Sequence, residues 1–353
     1  MRTPPFTART LFIAPLLALS LPSQTTTAVP CTRDNTLYES STGSFSNAIG
    51  ESLFVGVTAL GLKRRALLRF DLAAALPTGA VVLQATLQMN VLFSGAPQST
   101  TMTAHALTQA FGEGTSYAIA GGGGMGAPTT VGDATWTQAI HPNQAWASVG
   151  GDFAASPVGS IELPVGGICS GTLDAAVVQG WLLQPAQNHG ILLKTAEQLP
   201  LDRARRLDSR ENPTGQPQLL VTWLAPGQTA PWGQGCPVGG GVLTSAFLGA
   251  PLGGTSIAIT HANATANSIG ANFFALSLDP LGTQLAPACR TWLPLAGPLF
   301  PGDIFVTDAA GTAASAFALP AGFPGRLISS QAAVLDGSAL GFALGNANVL
   351  VLQ

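Results

Sequence analysis

The chain has 353 residues, 46% of them apolar, which is enough to bury more than one core. Only 9% are charged, against about 25% in an ordinary soluble domain. A formal charge of −3 at pH 7 argues against a nucleic-acid binder, which would be basic.

Arg2 and Arg9 precede an apolar run from Leu11 to Leu21, and a polar stretch then ends in Thr26, Thr27 and Ala28. This is the layout of a secretory signal cleaved after a small residue, so residues 1–28 are read as one. The apolar run is far short of the roughly 20 residues that a membrane-spanning helix needs. Cleavage would leave 12 basic against 17 acidic residues in an exported chain.

Residues 29–226 alternate strand-like runs with Gly, Pro, Asn and Ser turns. The runs fall at 36–40, 52–56, 65–72, 81–93, 101–109, 160–165, 190–194 and 217–223. Within 66–72, Ala66, Leu68, Phe70 and Leu72 share one face, and Leu67, Arg69 and Asp71 share the other. That period of two marks an antiparallel strand half-buried in a sheet. One segment departs from it: after Thr172, read as an N-cap, Leu173, Val177 and Trp181 recur every fourth residue before Pro185. The expectation is an all-β, jelly-roll-like β-sandwich carrying one short helix. A Pro/Gly-rich break follows, with 227–235 as linker. Residues 236–353 are then expected to form a second, smaller β-sandwich-like domain, almost without charge.

Charge gathers at 63–72 and 201–211. On strands, Arg65, Arg69 and Asp71 would share a face, as would Arg206, Asp208 and Arg210, with Glu211 beside them. If the two strands lie close, their charges pair across the sheet as a structural network, the commoner role of paired charges. Alternatively, spare guanidinium groups meet the carboxylates or hydroxyls of an acidic glycan. Lys63 and Arg64, at the polar start of their strand, are read as exposed and join Trp136 and Trp146 as glycan-binding candidates. Both indoles flank the loop before Gly150. Asp133 and Asp152, in the same region, are candidate ligands of a structural Ca2+, although no acidic loop of recognised spacing accompanies them.

Cys31, Cys169, Cys236 and Cys289 allow three pairings. Pairing within each half gives Cys31–Cys169 and Cys236–Cys289, which an oxidising compartment would keep. No C-x-x-C spacing supports zinc. Nor is there a nucleophile elbow, an H-E-x-x-H or a phosphate loop, since the glycine run at Gly121 to Gly126 lacks the lysine and following helix. His105, His141, His189 and His261 show no ligand spacing. No required cofactor and no enzymatic activity are expected.

Several segments in order resemble one family: DNTLYES from Asp34, NAIG from Asn47, RRALLRFDL ending at Leu72, GDATW from Gly132, GGDF from Gly150, VQGWL from Val178, NHGILLK from Asn188 and DSREN from Asp208. They resemble the DNRLRE-domain proteins of exported bacterial chains, similar to disaggregatase-related modules and to carbohydrate-binding-module family 96. The second half is similar to a C-terminal domain of planctomycete-type exported proteins, through GCPVGGG and its spacing to Cys289. The resemblance implies a jelly-roll-like sandwich, export and a role beside polysaccharide-active proteins, and it supplies no catalytic residues. The resulting expectation is an exported, non-enzymatic protein that binds an extracellular polysaccharide, acidic if the arginines face it. The alternative is a structural cell-surface or matrix protein engaging itself or a protein partner.

Overall fold

In the computed structural model, which describes residues 24–119, 123–239 and 241–353, the alternating runs become strands. The first half contains β1 Thr25–Tyr38, β2 Ser52–Val57, β3 Lys63–Phe70, β4 Val81–Ser94, β5 Thr100–Ala106, β6 Gly159–Leu163, β7 Gly167–Leu173, β8 Ile191–Lys194, β9 Arg205–Asp208 and β10 Gln218–Leu224. Hydrogen bonds run β1–β10–β4–β7–β6–β5–β8–β3 and return to β1, so the sheet closes on itself. A bulge between Cys31 and Arg33 makes this closure possible. Up to Pro30 β1 pairs with β10, and from Cys31 onward with β3. The long β4 is shared in the same way, first with β10 and then with β9. The chain is all-β with a sandwich-like architecture, as composition and periodicity implied.

The alternating face of β3 is the inner one. Ala66, Leu68 and Phe70 join Leu87, Met89, Met102, Ile161 and Leu219 in the main core. The opposite face is also buried. Leu67, Leu37 and Leu192 form a second apolar cluster, covered by Phe111, Trp136 and Trp146 from the long connection between β5 and β6. That connection, rather than solvent, is the outer neighbour of β3.

Among the described residues two α-helices occur rather than one. Asp71 caps a single turn, α1 Leu72–Ala75, accepting a bond from Ala74 N at 3.1 Å. The expected helix is α2 Ala175–Leu183, but its cap is Asp174, which accepts from Ala176 N at 2.8 Å. Thr172 and Leu173 end β7 instead, because their backbone groups already pair with β4.

Residues 1–23, most of the expected signal, lie outside the described residues. Residues 25–28 are built into β1, with Thr25 opposite Trp223 and Ala28 opposite Leu220, so cleavage after Ala28 would take four residues from the sheet. Gly121 and Gly122 also lie outside the described residues. Gly123–Met125 forms a 3-10 turn whose Gly124 carbonyl accepts from Arg64 Nε at 3.2 Å.

The second half contains β11 Thr229–Trp232, β12 Thr244–Leu248, β13 Ser256–Ala262, β14 Ile269–Ala275, β15 Phe300–Val306, β16 Ala313–Ala318, β17 Leu327–Leu335 and β18 Phe342–Val351. A five-stranded sheet, β11–β18–β17–β14–β15, faces a three-stranded one, β12–β13–β16. Two apolar clusters fill the second half, one around Leu243, Phe305 and Val334 and one around Phe247, Ile257 and Leu350. The linker expected at 227–235 is not free, since β11 pairs along β18 from Thr229–Leu350 to Trp232–Ala347. Leu83 and Leu224 of the first half pack with Ala230, Trp232, Val349 and Val351 in one cluster. The halves keep separate main cores but share this apolar seam.

Cys236 and Cys289 form the expected disulfide. Cys31 and Cys169 do not pair; both are free, buried thiols. They sit on β1 and β7 with β10 and β4 between them. Three strand spacings come to roughly 14 Å along the sheet, whereas a disulfide needs Cα atoms within about 7 Å.

Candidate functional site

Three of the segments singled out in sequence meet at one place. Asn35 Oδ1 accepts from Ser46 Oγ at 3.0 Å and Asn47 N at 3.2 Å, and Asn35 Nδ2 donates to the Glu113 carbonyl at 3.1 Å. Asn47 Oδ1 accepts from Ala118 N, and Ser209 Oγ donates to the Gly50 carbonyl. Arg210 N donates to Asp34 Oδ2 at 2.7 Å. Residues near 34, 47 and 210 are thus laced together with 113–118 of the long connection. An Asn side chain, both donor and acceptor, suits such a junction.

A cleft of about 290 Å³ opens beside this junction, lined by Asn47, Glu51, Phe54, Tyr117, Arg206 and Asn212 among others. Tyr117 is 50% exposed. On β9, Arg205 and Leu207 are buried and Arg206 faces outward, half-buried. Its Nε is buried without a hydrogen-bond partner. An unpaired guanidinium nitrogen in a cleft that also presents an open aromatic ring and the Asn212 amide suits a polyhydroxylated or acidic ligand.

Under the junction lies an acidic cluster of Asp34, Glu113 and Glu211. Glu113 Oε1 accepts from Arg210 Nε at 2.6 Å and from Asp34 N at 3.0 Å. Arg210 also stands 2.9 Å from Glu211 Oε1, though outside hydrogen-bonding angles. Burial, then the Glu211 and Glu113 charges, push the Asp34 carboxyl well up despite the Arg210 N–H bond. Burial likewise raises Glu211, with Arg210 opposing it.

The remaining expected site residues are placed elsewhere. Trp136 and Trp146 are buried, 6% and 5% exposed, and so unavailable for stacking on a sugar. The Trp146 indole N–H donates to the Thr135 carbonyl at 2.9 Å, and Trp136 lies under the Arg65 guanidinium at 4.9 Å. Arg64 is buried over the Tyr38 ring at 4.8 Å, not exposed. Lys63 is partly exposed and lies 3.8 Å from Glu197.

Nor do the two charge clusters pair with each other as expected. Arg65 makes a bidentate pair with Glu197, at 2.6 and 2.9 Å, and donates to the Gly150 carbonyl at 2.7 Å. Burial works against the Glu197 charge, but Arg65, Lys194 and Lys63 outweigh it and hold this carboxyl below its usual range. Arg69 is half-buried with no ion pair among the described residues, and Asp71 is a helix cap. Asp208 accepts from Asn90 Nδ2 at 2.7 Å. Asp133 and Asp152 each hold a loop in place. Asp133 accepts from Thr130 N and Ser116 N, and Asp152 from Ala147 N and Ser148 N, so both carboxylates are occupied in fixing their own loops.

Glu113 and Glu197, the principal acids of both networks, escaped sequence reading because both lie outside the charge clusters at 63–72 and 201–211. In so uncharged a chain, a lone acid in a long connection is itself a signal. No protein-family model matches the chain, and no curated protein matches it.

Proposed function

We propose that the chain is an exported, non-enzymatic protein that binds an extracellular polysaccharide in the cleft between Tyr117 and Arg206. One observation carries this reading: Arg206 Nε is desolvated and unpaired at the wall of an open cleft that also presents an aromatic ring. A buried unpaired donor is unfavourable, and Arg206 carries it at the wall of a cleft that a carboxylate can enter. A uronate supplies a carboxylate for the guanidinium and a ring face for Tyr117, with a hydroxyl for Asn212. The signal-like start, the Cys236–Cys289 bond and the resemblance to DNRLRE-domain proteins support export. Among the described residues no helix is long and apolar enough to cross a membrane.

A glycan array probed with the full chain tests this. Uronate polymers should bind in a salt-sensitive way. Arg206→Ala should weaken binding by roughly 10- to 100-fold, the worth of a charge-assisted hydrogen bond, and Tyr117→Ala should weaken it as well. Silence across acidic and neutral glycans, or undiminished binding by both variants, would reject the cleft. The second reading, a structural surface or matrix protein, has one observation in its favour. β15 is a sheet edge that exposes Phe300, Ile304 and Val306. Self-association in sedimentation, combined with glycan silence, would favour it.

A further inference from the structure

Asp34, Glu113 and Glu211 present an electrostatic problem that Arg210 does not solve. One carboxylate oxygen from each lies within 4.8 Å of the other two. Asp34 is fully buried, and its Oδ1 meets no hydrogen-bond donor. Neither oxygen of Glu211 accepts a hydrogen bond, although both are buried. Arg210 is the one cation paired with the cluster among the described residues. With all three carboxylates ionised, the one guanidinium would leave two negative charges uncompensated in a largely buried cluster, an arrangement that is unfavourable by itself. Hydrogen bonds inside the cluster do not relieve it, because Asp34 Oδ1 and Glu211 Oε2 receive none.

We propose that Asp34, Glu113 and Glu211 form a calcium site that pins the long β5–β6 connection to β1 and to the segment following β9. A divalent ion cancels the uncompensated charge. The spacing suits calcium, whose oxygen ligands stand at about 2.3–2.6 Å, so that ligands on opposite sides of one ion are about 4.8 Å apart. The donors are all hard oxygens, with no Cys or His among them, which disfavours zinc. Calcium also accepts irregular coordination, whereas magnesium demands near-octahedral geometry. The site joins three segments far apart in sequence, so the ion acts as a clip between them, as structural metals do. It is linked along the chain to two residues that line the cleft, because Glu113 and Tyr117 share one connection and Glu211 precedes Asn212. The proposal does not rest on the polysaccharide reading, since its readout needs no glycan.

The test is thermal unfolding and titration calorimetry of the full chain after EDTA treatment and dialysis, with CaCl2 or MgCl2 added back. Calcium at hundred-fold excess over its Kd should raise Tm by on the order of 5 °C or more. It should also give a binding heat with one ion per chain, and magnesium at the same concentration should do far less. Asp34→Asn and Glu211→Gln should each abolish the calcium-dependent shift. If Asp34→Asn does not fold, Glu211→Gln carries the test, because that side chain lies nearer the surface at 18% exposure. A Tm indifferent to calcium, an equal response to magnesium, or a full response surviving in Glu211→Gln would each overturn the proposal.

Discussion

Replacing Arg65 with alanine strands Glu197 in a place built for an ion pair. The two side chains are 10% and 7% exposed and meet through two hydrogen bonds. Arg65 also lies on the Trp136 ring and donates to the Gly150 carbonyl, both in the layer that covers the outer face of β3. Breaking a buried pair from one side costs about 3–5 kcal/mol, chiefly because the remaining charge loses its partner. Lys63 and Lys194, at 3.8 and 3.9 Å from Glu197, retain part of the compensation, so the loss should fall near the lower end. About 3 kcal/mol in a domain of this size should lower Tm by roughly 6–12 °C. Urea unfolding of Arg65→Ala beside Arg69→Ala measures it. Arg69 has no ion pair among the described residues and should stay within about 0.5 kcal/mol. The pH dependence has a defined sign: the Glu197 carboxyl is depressed in the fold, so its pairing stabilises above the unfolded pKa of about 4.3. That stabilisation is lost as pH falls through the folded value, and the gap between Arg65→Ala and the native chain should narrow there. A loss below about 1 kcal/mol at pH 7, or equal losses for the two arginines, would refute the reasoning.

His261 is 2% exposed, hydrogen-bonded through Nδ1 to Ser245 Oγ at 2.8 Å and stacked on Phe305. Burial lowers its pKa to about 4, so the fold holds it neutral while the unfolded chain takes a proton below about 6.5. Stability should therefore fall by about 3 kcal/mol between pH 7 and 4 on its account, and His261→Gln, compared by urea unfolding at both pH values, should lack that component. Thiol titration of the unreduced protein should find two groups, Cys31 and Cys169, reactive only after unfolding. Burial raises both, Cys169 to about 11. Mapping should recover the Cys236–Cys289 link, and its removal should cost about 4 kcal/mol for a loop of 53 residues.

Local pattern alone determined a good deal. Period-two alternation placed the strands and the inner face of β3, because a pleated backbone sends successive side chains to opposite sides wherever it is used. Recurrence every fourth residue placed α2, but of Leu173, Val177 and Trp181 only Trp181 is buried on the helix, where Val178 joins it, and Leu173 belongs to β7. Pairing within the second half was correct for Cys236 and Cys289, but nothing local could show that β10 and β4 stand between Cys31 and Cys169. Burial of Trp136, Trp146 and Arg64 was equally invisible. Both indoles belong to the long connection between β5 and β6, which also covers Arg64, and a loop's path over a sheet depends on contacts made far away in the chain. Arg205 is fully buried beneath backbone carbonyls, and its neighbour Arg206 faces the cleft; strand alternation separates the two, but only the packed sheet says which side is inside. Charge partners followed the same division. The sequence shows how few charges there are, while the fold decides that Arg65 meets Glu197, that Arg210 meets Glu113, and that Asp34 is buried among other acids. Pairing energies fall off over a few ångströms, and distance in space is set by the closed sheet rather than by distance along the chain.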